Sequence, residues 1–222
     1  MKKITLLILP FLLIGFMVSC KNDKSKSNTS GAAKAAVKSG KSYTIDSSLS
    51  KVIWTGSKPT GSHTGTLNVS SGNVSFDDGK LTGGKFVLDM NSINNTDLEG
   101  DSKADLEAHL KGTEAGKEDH FFNVAKYPTA QFEITKVTAL EGNADANCMV
   151  YGNLTLKDVT KQVGFRAKTT VSGNSLSVST PKFAINRTEW GIQFMSKSFV
   201  DDIKDKFIND DIELQINIRA KA

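Results

Sequence analysis

The residues of this chain that could do chemistry are not spaced to do it together. Its three histidines, His63, His109 and His120, are spread over the sequence, and none falls in a metal-ligand spacing. Asp97-Leu98-Glu99-Gly100-Asp101 offers calcium-type ligands, but its glycine and glutamate do not stand where an EF-hand loop needs them. Asp201-Asp202 and Asp210-Asp211 read as solvated turns. Cys148 has no neighbouring base, and the chain holds no Gly-x-Ser-x-Gly elbow or phosphate-binding loop. Asp89, Arg187 and Glu189 could act on a lipid head group as acid, base or anchor. The plainer reading of Arg187 and Glu189 is a turn or a structural ion pair. The sequence thus predicts no catalytic residue, no metal site and no cofactor.

The clearest chemical signal is covalent. Lys2-Lys3 precedes an uncharged apolar run over residues 4–18, which ends at Ser19-Cys20. The run is short for a membrane span and reads as a secretory signal. A small residue directly before a cysteine looks like a bacterial lipoprotein signal, which implies cleavage before Cys20 and its acylation with palmitate-type chains. Each methylene buried in a bilayer adds roughly 0.8 kcal/mol to such an anchor. The expected organisation is a signal peptide over 1–19, a lipidated cysteine and flexible tether over 20–41, and one domain over 42–222. The tether reading rests on a Lys-, Ser-, Ala- and Gly-rich stretch without aromatics. Such a protein belongs on a membrane of the bacterial cell envelope, facing the periplasm or the cell surface. With Cys20 acylated, Cys148 has no partner for a disulfide. The formal charge of +4 comes from lysines before Gly40, and nothing in the rest supports nucleic-acid binding.

The elements that must position any site are strands. In residues 119–134, Phe121 and Phe122 stand side by side, Lys126-Tyr127-Pro128 turns, and Ala130, Phe132 and Ile134 alternate with Gln131 and Glu133. The same period of two marks 43–46, 51–56, 65–69, 73–76, 84–90, 148–156, 161–171, 175–180, 183–186, 190–194 and 212–218. Ser71-Gly72 reads as a hairpin-like connection and Asp78-Gly79 as a turn. One short helix is expected over 104–111, where Leu106 and Leu110 share a face and Gly112 ends it. Segment 199–210 reads as a turn or short helix. This pattern describes an all-β antiparallel barrel or sandwich, and the barrel is preferred because closure removes sheet edges. Twelve phenylalanines against three tyrosines make its interior apolar. From spacing alone they can fill a core or line a cavity.

Several segments, in order, resemble the YceI-like family. They are Tyr43-Thr44-Ile45-Asp46, Ser50-Lys51-Val52-Ile53-Trp54, His109-Leu110, Phe121-Phe122-Asn123-Val124, and Tyr127-Pro128 with Phe132. The run from Gly152 to Lys161 and the run from Asn186 to Ile192 complete the set. The likeness implies a lipocalin-like antiparallel β-barrel of about eight strands, with the short helix beside its mouth and a long apolar cavity. It implies binding of a polyisoprenoid lipid or isoprenoid quinone, without catalysis. Leu49 and the inserted-looking stretch 112–118 depart from the family pattern. On this reading the lining includes Phe86, Leu88, Phe132, Ile134, Leu154, Phe165, Phe183 and Ile185. Trp190 and Phe194 lie near it, and Phe121-Phe122, which breaks the alternation, closes the lipid end. The partners implied are the lipid and, through Cys20, the membrane; a homodimer stays open.

Overall fold

The computed structural model describes residues 25–222. The signal segment and Cys20 lie outside the described residues. Alternating side chains build long antiparallel strands: β4 (Lys51–Lys58), β5 (Gly61–Asp77), β6 (Lys80–Asn95), β7 (Thr129–Ala139), β8 (Cys148–Leu156), β9 (Val159–Ser172), β10 (Ser175–Ser179) and β12 (Asp211–Lys221). Every second residue of β8, from Cys148 to Leu156, is buried. Each strand pairs with the next from β4 to β10. β12 then pairs with both β10 and β4, so the ring of eight closes and no strand of it is left as an edge. β3 (Lys41–Ile45) extends the wall beside β4, pairing with the far half of β5 and the end of β12. β11 (Phe183–Asn186) likewise continues β10 along β12.

The structure differs from the sequence reading in three elements. Ser71-Gly72 is not a connection, because β5 runs through it as one strand of 17 residues with register shifts. Gly72 lies at φ +153 opposite Phe86, where a Cβ would strike the Lys85 carbonyl, so the glycine serves close approach at a bulge. Residues 190–194 are not a strand. The Asn186 side chain accepts from the Thr188 amide at 2.9 Å and starts a 3₁₀ turn over Arg187–Trp190. The helix α1 (Gly100–Lys111) starts four residues earlier than the Leu106/Leu110 spacing indicates, and Gly112 closes it in the left-handed conformation.

Residues 25–40, read from composition as free tether, lie against the barrel. β1 (Ser25–Lys26) pairs parallel to β11, and β2 (Thr29–Gly31) pairs with the first half of β9. Between them Ser27 donates to the Gly164 carbonyl at 2.8 Å and accepts from its amide at 3.0 Å. Farther on, the Ala36 amide donates to the Ile134 carbonyl at 2.9 Å, beside the register shift in β7. The polar composition concealed this because the segment binds through its backbone, which any sequence supplies, and through the small buried hydroxyl of Ser27.

Inside the ring the two ends differ. At one end, four rings from four strands touch in a row: Phe86–Phe132 at 5.2 Å, Phe132–Phe165 at 5.4 Å and Phe165–Phe183 at 4.6 Å. Phe132 fits only because Gly152 faces it on β8, where a Cβ would overlap the ring. The void beside this row is about 20 Å³, room for little more than a single water. The other end is hollow.

Candidate functional site

The hollow end is an apolar cavity of about 340 Å³. Toward the phenylalanine row its lining is Leu88, one side-chain step from Phe86 on β6, with Leu154 and Leu214, which pair directly with Phe132 and Phe183, and Leu67 of β5. Above these residues, Met90 and Ile93 of β6, Val52 and Trp54 of β4, and Ile185 and Ile212 at the β11–β12 pair form the walls. The mouth lies at the β4–β5 turn, where Lys58 and Ser62 stand beside His63 and Asn209. Asn209 is held there by its Nδ2 donating to Ser57 Oγ at 2.7 Å.

A roof covers part of the mouth. Leu106, His109 and Leu110 of α1 face the cavity, with Phe121 and Phe122 from the following loop. Although α1 buries no residue fully, its Leu106 and Leu110 look into empty apolar space. Its attachment is mixed: Leu110 also packs against the core, and Glu107 Oε1 accepts from the Asn95 amide at 2.8 Å. The Phe122 amide donates to the Leu110 carbonyl at 3.2 Å, and the Val124 amide to Lys111 at 2.9 Å. Outside this roof, His120 stacks on Phe194 at 3.9 Å, and His109 meets Phe121 and Phe194 edge-on at 5.1 and 5.0 Å. The stretch 112–118 folds back on itself, which brings His120 Nδ1 to 2.8 Å from His109 Nε2.

Two imidazoles so placed share one proton, one donating and one accepting. Burial pushes His109 below its ordinary value; Glu114 opposes this, while His120 and Lys117 add to it. At the mouth, His63 Nδ1 lies 2.8 Å from Asp97 Oδ2. Burial would raise the Asp97 carboxyl, but His63, the Thr64 amide and Asn95 together outweigh it and hold it below the usual value.

Of the residues chosen from sequence, Leu88, Phe121, Phe122, Leu154 and Ile185 stand in the cavity wall or roof. Phe86, Phe132, Ile134 and Phe165 stand around the small void instead, and Phe183 ends their row. Trp190 is 1 % exposed and donates to the Leu154 carbonyl at 3.1 Å, behind the wall. Phe194 lies outside the roof. The sequence reading missed Val52, Trp54, Leu67, Met90 and Ile93, and also the contact of His109 with His120. The alternation of Val52 with Trp54 and of Ile212 with Leu214 was the available signal for the wall. A preference for phenylalanine passed it over: the rings fill space, and the aliphatic side chains leave it.

Asp89, Arg187 and Glu189 do not converge. Asp89 accepts from the Asn91 amide at 3.0 Å, and Glu189 pairs with Lys161 at 3.3 Å on the surface. Arg187, 1 % exposed, gives Nε, Nη1 and Nη2 to the carbonyls of Asn209, Ile192 and Ile208 at 3.1, 2.8 and 3.0 Å. It ties the 3₁₀ turn to the segment before β12, and with Ile208 and Asn209 of that segment it also lines the cavity. Among the described residues, no three His, Cys, Asp or Glu side chains gather as a metal site.

Residues 43–220 match the family model of the YceI-like domain. The chain belongs to the YceI-like family. Curated relatives include the UPF0312 proteins of Yersinia pestis strain Pestoides F, 36% identical over 110 residues, and of Shewanella denitrificans, 36% identical over 109. The aligned part is 50% of the Yersinia protein and 50% of this chain, so the chain spans about half the length of the curated relatives it matches. Among solved structures, Burkholderia cenocepacia BcnA superposes with a TM-score of 0.59 at 20% identity, covering 80% of this chain and 99% of BcnA. A polyisoprenoid binding domain from Saccharophagus degradans, implicated in plant cell wall breakdown, gives 0.59 at 17% identity, over 81% and 98%. At these identities the likeness establishes a shared YceI-like fold: a mostly antiparallel, lipocalin-like sheet with one short helix.

Proposed function

We propose that this YceI-like protein binds a polyisoprenoid lipid, of the isoprenoid quinone or polyprenyl type, with the tail in the cavity and the head group at the mouth. The observation that carries the reading is the roofed apolar cavity of about 340 Å³, at the lower end of the range for small-molecule sites. Each isoprene unit holds five carbons, and moving it from water into such a cavity is worth up to roughly 4 kcal/mol. A carrier needs a dry hollow more than reactive groups; here Lys58, Ser62, His63 and Asn209 sit at the rim, and buried Arg187 in the lining spends its donors on backbone carbonyls. The Saccharophagus domain, described as polyisoprenoid binding, supports the same ligand class. Acylation of Cys20 would hold the protein on a cell-envelope membrane, close to its lipid.

The test is incubation of the purified protein with an isotope-labelled prenyl quinone, followed by recovery and mass analysis of the lipid. The expected result is stoichiometric retention of unaltered lipid, abolished by Leu214→Asp or Leu88→Asp. Turnover of the head group would favour an enzyme, and absence of retention would favour a barrel with a purely structural role.

A further inference from the structure

The interior is divided crosswise. Phe86, Phe132, Phe165 and Phe183 come from β6, β7, β9 and β11 and touch in sequence, so their row spans much of the lumen. On one side lies the 340 Å³ cavity; on the other only 20 Å³ remains. The residue that admits the row is Gly152, whose missing Cβ leaves the position over which Phe132 lies. One side-chain step beyond Phe86 on β6, Leu88 pairs with Ala130 of β7 and lines the cavity.

The geometry points to the phenylalanine row as a chain-length stop: it sets how many isoprene units of a bound lipid the protein shields. This inference rests on the proposed lipid-binding reading and specifies which lipids it favours. The depth follows from strand geometry. Val52 to Lys58 on β4 both line the cavity, and six steps of about 3.3 Å on a strand tilted by about 40° give a depth of roughly 15 Å. An isoprene unit advances a chain by four carbon–carbon bonds, about 5 Å. The cavity therefore shields about three units, or about fifteen carbons, before the tail meets Leu88 and Leu154, which the ring row backs. Carbons beyond that number stay outside the mouth in water, or in a membrane beside it. They add nothing to affinity for the isolated protein.

The experiment is a titration of the protein with prenyl alcohols of two, three, four and five units, followed by tryptophan fluorescence, since Trp54 lines the cavity. In the unaltered protein, affinity should rise about tenfold or more per unit up to about three units and then level off. Phe132→Ala joins the two voids, and it should move the break to longer chains and tighten the four-unit alcohol by at least about tenfold, with little change for the two-unit alcohol. Phe132→Leu and Phe165→Leu keep more of the packing and should move the break the same way where the alanine variant folds poorly. A break that stays in place in folded variants would overturn the stop. So would an affinity in the unaltered protein that climbs evenly through five units, although lipid binding would then stand. Failure of every alcohol to bind would overturn both the stop and the reading beneath it.

Discussion

Phe132 shows how one ring sets the geometry of its surroundings. It touches Phe86 and Phe165 and lies over Gly152, so the glycine is required for packing rather than for a turn. Gly152→Ala should destabilise by about 1–3 kcal/mol, read by chemical denaturation, because the new methyl overpacks a filled layer. Arg187 is a second fixed point. Arg187→Ala strands three carbonyls in a dry site and should cost about 3 kcal/mol or more by the same measurement. The His109–His120 contact adds a pH dependence. Burial lowers His109 from 6.5, so between that value and the depressed one the unfolded chain binds more protons than the fold. The stability from His109 is therefore full above pH 6.5 and is lost as the pH falls below it. The unfolding free energy should drop on acidification from about pH 7.5 to about 5, and less steeply in His109→Gln. Burial pushes the Cys148 thiol up to about 11, and it should react with thiol reagents only after denaturation. Which residues face inward was legible from their alternation. Their depth was not, because depth depends on the register of the closed ring, a sum of long-range pairings that no local pattern carries.

At the scale of elements, the β5–β6 hairpin and the helix position were legible because each rests on local signals: Asp78-Gly79, and Leu106 with Leu110. Two errors came from residues whose partners are remote. Gly72 mimics a turn but answers the Phe86 backbone, and Arg187 draws its segment out of extended form toward carbonyls about twenty residues away. The helix is the element closest to function. Leu106 faces the cavity, while Leu110 also packs on the core and Glu107 ties α1 to Asn95. Leu106→Asp should therefore weaken prenyl alcohol binding by at least about tenfold, with a melting temperature close to the parent's. Equal loss of stability and binding would show that the helix is core rather than roof.

At the scale of the molecule, closure of the ring was legible, since so many one-faced strands have no better way to hide their edges. The N-terminal strap was not. Residues 25–31 bridge from β11 to the first half of β9, so this stretch completes the wall as well as leading back toward Cys20. Removal of residues 25–36 should lower the melting temperature and increase amide exchange in β9 and β11. Cys20→Ser should instead leave the fold intact and release the protein from membranes into the soluble fraction. The central claim is that the cavity holds a prenyl chain. The most direct measurement is the native mass of the protein as purified from cells. The account predicts one bound lipid per chain, a prenyl species on extraction, lost in Leu214→Asp. A protein whose mass carries no non-covalently bound lipid, and which also takes up no added prenyl lipid, would contradict it.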